Sequence, residues 1–405
     1  MADLTTTDLL ARYSDVVVRG GLNLRPGQTL VLRALVEHAA LVRAIVDAAY
    51  DAGAGFVDVE YQDDHVRRSG IVHGAGPALA AGTSRDRAAA ERLEQPGVAF
   101  LRITGNPDPH LMDDVDAAAV VGALPVELAA RERAALMAGG LQWCIVAAPN
   151  AGWARAVFGE PDVDRLWRAV GTAVGLDSDD PVAEWLAHTA RLRRRAAAVD
   201  ALDLAAVRYS GPGTDLEIGL MPSWRWMAAT MQTTDGVEFS PNVPTEEVFT
   251  SPDPARAEGT IATTRPFLLL PSGVLVEGLA LTFEGGRIVD AAADRGLDAV
   301  LAQLDSDPNA RRLGEVALVD GGSRVRRAGV LFHDMLYDEN AGSHIAWGQG
   351  FPMVVPDGDE TGGVNRVAAV HTDVVVGGPG VSIAGVTADG RVVPLITDDV
   401  WVLPV

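Results

Sequence analysis

The sequence predicts an α/β N-terminal domain with a largely parallel sheet, followed by a strand-rich α+β domain. Three observations carry that expectation. Strand-like and helix-like segments alternate through the first half, the pattern of strand-helix-strand units on a parallel sheet. Near Leu202 the pattern changes, and strands with Gly-rich turns take over (Gly211-Pro212-Gly213, Gly285-Gly286, Gly321-Gly322, Gly377-Gly378). At 405 residues the chain is also too long for one ordinary core. The boundary falls between about 190 and 205, giving domains 1–195 and 196–405.

In order, Thr29 to Arg33 reads as a strand launched by the Pro26-Gly27 turn, and Glu37 to Asp51 as a helix stopped near Gly53. Phe56 to Tyr61 alternates strictly and is a second strand. A helix from Arg85 to Leu93 leads through Pro96-Gly97 to a third strand, Val98 to Ile103. A helix over Glu127 to Met137 precedes a fourth, Leu141 to Ala147. Asp164 to Val174 and Val182 to Val199 read as helices, the second carrying Arg191, Arg193, Arg194 and Arg195 on a solvated face. In the second half one helix stands out, Gly296 to Leu304.

Composition narrows the function. With 48% hydrophobic and 22% charged residues the chain is that of a soluble globular protein. A formal net charge of -22 argues against nucleic-acid or anionic-membrane partners. All 33 basic residues are Arg, so lysine nucleophiles and Schiff bases are excluded. The single cysteine, Cys144, rules out disulfides and Cys-ligated zinc within one chain, and its apolar setting suits an inert buried thiol. No G-x-G-x-x-G follows any strand; Gly74-Ala75-Gly76-Pro77 is an isolated cluster. The N-terminus lacks a basic, apolar leader and no run reaches membrane-span length, so a cytoplasmic location is expected.

Four segments of the second half set acidic or imidazole groups in apolar or turn-rich surroundings. In Val367 to Gly377, alternation projects His371 and Asp373 from one face of a Val-rich strand. Burying both is costly without a partner. A divalent cation is one partner, and a simple His-Asp hydrogen bond is the alternative. Glu315 enters the otherwise apolar Leu313 to Val319. His344 lies in Asp338-Glu339-Asn340-Ala341-Gly342-Ser343-His344-Ile345-Ala346-Trp347-Gly348, where Asp338 and Glu339 read as loop anchors. Glu247 stands in Asn242 to Asp253, held extended by Pro244 and Pro252. Three carboxylates and two histidines in one domain are an apt ligand set for two adjacent divalent metals.

With these motifs the chain resembles the aminopeptidase T / aminopeptidase S metallo-aminopeptidases, first known from thermophiles. The resemblance spans nearly the whole chain. It starts at Leu24-Arg25-Pro26-Gly27-Gln28 and the helix end Ala48 to Ala54, continues through Gly211 to Leu216, and is sharpest at the four segments. It implies a homodimeric two-metal exopeptidase, usually zinc- or cobalt-dependent with manganese or magnesium as alternatives, acting on free N-termini of peptides. Matched motif by motif, it places metal ligands at Glu247, Glu315, His344, His371 and Asp373 in a C-terminal catalytic domain. It also associates Glu315 with general-base handling of the metal-bound water. The N-terminal domain would close over this domain or dimerise around it.

One departure matters. The family's tyrosine after the His344-Ile345-Ala346-x-Gly348 motif, suited to stabilising an oxyanion, is here Phe351. Losing such a donor costs about two to three orders of magnitude in turnover. Tyr337 stands where the family has phenylalanine and could compensate in part, or the substrate could be a specialised amide. Trp347, replacing a small aliphatic residue, either reshapes the pocket or packs in the core. Two rivals follow: a mononuclear iron ring-cleaving dioxygenase using His344, His371 and Asp373, and a non-catalytic relative. Retention of Glu247 and Glu315 argues against the first.

Overall fold

The computed structural model describes residues 4–270, 272–356 and 365–405. The chain divides into two compact units, Met1–Leu186 with Thr230–Val243, and Ala187–Ala229 with Pro244–Val405. The division falls at 186/187, inside the helix Pro181–Asp200, where the sequence suggested 195/196. It also returns residues 230–243 to the first unit, because Asn242–Val243 adds a short strand to that unit's sheet.

In the first unit, strands β1 (Thr29–Leu35), β2 (Phe56–Gln62), β3 (Val98–Thr104) and β4 (Gln142–Ala147) form an all-parallel sheet. The order across it is Asn242–Val243, β4, β3, β1, β2. Helices Ala39–Asp51, Ser84–Arg92 and Val126–Met137 lie within two residues of the segments read from periodicity. Among the described residues of this unit, five α-helices were not read from the sequence: Thr6–Asp15, Asp64–Val72, Gly76–Ala81, Ala117–Gly122 and Ala151–Phe158. Most are short, so their apolar stripe is too brief to show a period. Their caps were legible, as in the Thr5–Asp8 capping box and the Asn150 N-cap with Gly159 in the left-handed region at the other end. Cys144 is fully buried on β4, and burial pushes its thiol far above the usual range, so it is not a nucleophile.

The second unit is built on two antiparallel sheets. An eight-stranded sheet runs through Leu204–Gly211, Thr214–Gly219 and Ser382–Thr387 at its centre. The other comprises β5 (Met227–Ala228), β6 (Val248–Thr250), β7 (Leu313–Leu318), β8 (His344–Gly348) and β9 (His371–Val375), in the order β9-β8-β7-β6-β5. One hydrophobic core joins them. Val248, Val316, Leu318, Ile345, Trp347, Val374 and Val376 from the five-stranded side meet Val207, Leu216, Ile218, Ile383 and Ile396 from the other. Period-two alternation therefore commits one face of β6 to β9 to this core and frees the other face for chemistry. Trp347 faces the core: its indole donates to Gln303 Oε1 at 2.9 Å and its ring meets Phe267 edge-on at 6.3 Å. The expectation that Trp347 reshapes a pocket is corrected by its position on the opposite side of β8 from His344.

Candidate metal centre

The free face of the five-stranded sheet gathers all five ligand candidates. Glu247 precedes β6, Glu315 lies on β7, His344 on β8, and His371 and Asp373 on β9. In the register, Glu315 pairs with Ala346, which pairs with Asp373; Ala317 pairs with His344, and Gly348 with His371. The ligand-bearing positions thus alternate across the sheet with Ala317, Ala346 and Gly348, whose side chains leave open floor between the donors. Gly348 adopts φ 97°, and a Cβ there would collide with the Val370 carbonyl.

Glu315 owes its orientation to a β-bulge between Leu313 and Glu315. Leu313 belongs to the core, and strict alternation would send Glu315 there too. The extra residue, Gly314, re-aims it. Gly314 sits where a Cβ would strike the Gln349 carbonyl.

The donors close into two groups that share one residue. Glu247, Glu315 and His344 form the first, and Glu315, His371 and Asp373 the second, with ligand atoms in each group within 4.8 Å of one another. His344 Nε2 lies 3.1 Å from Glu247 Oε2 and 3.8 Å from Glu315 Oε1. His371 Nε2 lies 3.3 Å from both Glu315 Oε2 and Asp373 Oδ2. Backbone carbonyls orient both rings. Nδ1 of His344 faces Gly342 O at 3.1 Å, and Nδ1 of His371 faces Gln349 O at 2.7 Å. A proton held on Nδ1 leaves each Nε2 lone pair directed into the cluster, the arrangement of metal-ligating histidines.

The electrostatics fit cations. Burial raises the Glu315 pKa to about 7, a hydrogen bond from His371 opposes that, and the Asp373 and Glu247 charges reinforce it. Burial disfavours the His344 imidazolium, but Glu247, hydrogen-bonded to it, and the Glu315 and Asp373 charges outweigh this and lift its pKa to about 10. His371 is likewise held well above its ordinary value, burial being overcome by Asp373 and Glu315. Asp373 is pushed below the usual carboxylate range, because the His371 and His344 charges overcome its burial. Its Oδ1 is buried without a hydrogen-bond partner among the described residues. A dense carboxylate cluster that otherwise retains protons, with an orphaned carboxylate oxygen, matches a site whose positive charge comes from metal ions.

Glu339 is a functional candidate that sequence reasoning set aside as a loop anchor. It opens the 3₁₀ turn Glu339–Ala341, and burial raises its pKa well above normal. The Asp373 and Glu247 charges add to that shift, so it belongs to the same electrostatic unit. Its position five residues before His344 in an acidic, turn-forming run was the available signal. Asp338 does anchor the loop, accepting from the Phe332 and Asp334 N–H groups at 2.8 and 3.1 Å. Phe351 stands at the cluster, its ring 5.2 Å from that of His371. Tyr337 is fully buried with its ring 4.6 Å from Phe332.

Paired carboxylate–imidazole groups sharing a central glutamate define a metallohydrolase-type centre. The sequence profile described as thermophilic metalloprotease (M29) matches residues 6–401. The chain belongs to this metalloprotease family. It is 37% identical to aminopeptidase T of Thermus aquaticus, over 98% of this chain and 99% of the relative. The wild-type AmpT structure from Thermus thermophilus superposes with a TM-score of 0.90 at 33% identity, covering 98% of this chain and 99% of that one. A 2,5-dihydroxypyridine dioxygenase from Pseudomonas putida KT2440 shares the fold at a TM-score of 0.56 and 14% identity, covering 98% and 97%. The dioxygenase alternative is not favoured by these relationships.

Proposed function

We propose that this protein is a metallo-aminopeptidase that releases N-terminal residues from peptides, or a specialised amide hydrolase of the same mechanism. Glu315, shared by the two ligand groups, is the observation that carries the reading. One shared carboxylate with a private Glu-His or His-Asp pair on each side suits two divalent ions, zinc or cobalt foremost. The ions, when bound, supply a polarised scissile carbonyl and a water made acidic enough to attack at neutral pH.

The chain's own residues do the rest. Glu247 and His344 hold one side of the centre, and His371 and Asp373 the other. Glu315 presents Oε1 toward His344 and Oε2 toward His371, which suits a bridge and occupies both its oxygens. The general-base role that the resemblance implies for Glu315 therefore passes more naturally to Glu339. Glu339 shares the electrostatic environment of the ligand cluster, and as the carboxylate it would take a proton from the attacking water and return it to the leaving amine. Phe351 offers no hydroxyl to the developing oxyanion, so that stabilisation rests on the other groups of the centre.

The metal content of protein purified with excess zinc or cobalt, read beside a screen of aminoacyl anilides and short peptides, tests the reading. About two ions per chain with release of N-terminal residues is expected. One ferrous ion and no hydrolysis would overturn it. A homodimer, implied by the resemblance, is checked by sedimentation. A cytoplasmic location is consistent with the described residues holding no helix long and apolar enough to cross a membrane.

A further inference from the structure

We infer that the aromatic and thioether wall beside His371 receives the substrate's first side chain, so that the enzyme selects peptides beginning with a large apolar residue. This deepens the aminopeptidase reading and rests on it.

The wall shares its sheet face with the ligands. The register runs Met227, Phe249, Ala317, His344 across β5, β6, β7 and β8, so Met227 and Phe249 stand in the same row as a metal-ligand candidate. Phe351 completes it from the far end of β8. Its N–H donates to Ser251 Oγ at 2.7 Å, and its ring lies 5.3 Å from Phe249 and 5.2 Å from His371. Buried Trp224 and Val354 back these side chains, with Met221 packed against them. Arg225 N–H donates to Val354 O at 2.9 Å, and Thr250 Oγ1 to Arg225 O at 3.0 Å, so the three chain segments form one frame.

Exposure places the opening on this side. The His344, Glu315 and Asp373 side chains are 1%, 4% and 4% exposed, whereas Glu247 retains 12% and His371 26%. A substrate reaching the centre past His371 meets Phe351 and Phe249, both only partly buried. Among the described residues none of the side chains forming the wall is charged, so a charged first residue would lose hydration against it without compensation from them. The two methionines can adapt to branched or aromatic shapes, which favours leucine, methionine and phenylalanine together over one of them alone.

Metal-loaded enzyme is assayed on glycyl, alanyl, leucyl, methionyl, phenylalanyl, aspartyl and arginyl p-nitroanilides, and titrated calorimetrically with free L-leucine and L-alanine. The leucyl, methionyl and phenylalanyl substrates should exceed the alanyl one in kcat/KM by about tenfold or more, and leucine should bind more tightly than alanine. Met227→Glu should lower the leucyl-to-alanyl ratio about tenfold and raise the arginyl-to-alanyl ratio. Phe249→Leu, which keeps an apolar side chain should the first variant not fold, should lower the phenylalanyl-to-leucyl ratio. Equal turnover of alanyl and leucyl substrates, preference for a charged one, or ratios unmoved in both variants would overturn the pocket while leaving the aminopeptidase intact. No turnover of any substrate with metal bound would overturn the aminopeptidase reading itself.

Discussion

Glu315 and Glu339 differ in what surrounds their oxygens, and that difference separates their roles. Glu315 faces an imidazole on each side, so Glu315→Gln should lose bound metal and turnover together, as metal analysis and anilide assays will read. Glu339→Gln should retain metal while losing about two or more orders of magnitude in kcat, the usual loss for a proton-transfer group. Both variants retaining metal and full activity would refute the assignment. Phe351 marks a second residue-level contrast. Phe351→Tyr should raise kcat on aminoacyl anilides by up to about two to three orders of magnitude, since it restores a donor beside His371. If Tyr337 compensates, Tyr337→Phe should lower it; no change in either ends that idea.

His188 shows how a residue away from the chemistry can set a pH limit. It is fully buried; its Nε2 donates to Thr245 O at 2.8 Å, and Arg191 donates to its Nδ1 at 2.7 Å. Burial, reinforced by the Arg324 charge, pushes its pKa down to about 3 from 6.5. Between those values the unfolded chain binds the proton and the folded one does not, so stability falls as pH falls through that window. The slope is about 1.4 kcal/mol per pH unit. His188→Gln should remove this part of the slope between pH 6 and 4, measured by denaturant unfolding with chelator present; an unchanged slope would refute it.

At the scale of elements, β8 works because its two faces do different jobs. His344, Ala346 and Gly348 face the donors, while Ile345 and Trp347 face the core. Ala346 is the floor between Glu315 and Asp373. Ala346→Leu would fill that space from a fully buried position, and such overpacking costs typically about 1–3 kcal/mol. The expected outcome is a folded protein with metal stoichiometry reduced toward zero; full metal loading in this variant would show that the floor is not the metal site. The alternation of His371 and Asp373 was legible because β9 is regular. The face of Glu315 was not, since it depends on the Gly314 bulge, and a bulge reverses inside and outside without any change in apolar content.

At the scale of the molecule, the second unit concentrates Glu247, Glu315 and Asp373 around two imidazoles, with Glu339 in the same electrostatic environment. Cations that bind this cluster only when it is folded must stabilise it. The gain is about 2.7 kcal/mol per ion at a free concentration a hundredfold above Kd. Chelation should therefore lower the unfolding temperature reversibly, and readdition of zinc or cobalt should restore it. A melting curve indifferent to chelator would argue that no structural or catalytic metal resides there.

The four strands of the first unit with its longer helices, the strand-rich character of the second and the segments that carry the metal-ligand candidates are written locally, in periods of two and 3.6, in turn residues and in motifs. Those signals are carried by neighbours in the chain and need no partner to be read. Tertiary structure alone decided that Trp347 belongs to the core, that Glu339 shares the electrostatic environment of the ligand cluster, that residues 230–243 return to the first unit, and that Met227, Phe249 and Phe351 assemble beside His371. Each of these depends on which strand pairs with which and in what register, and hydrogen bonding between distant segments settles that only when the whole sheet forms.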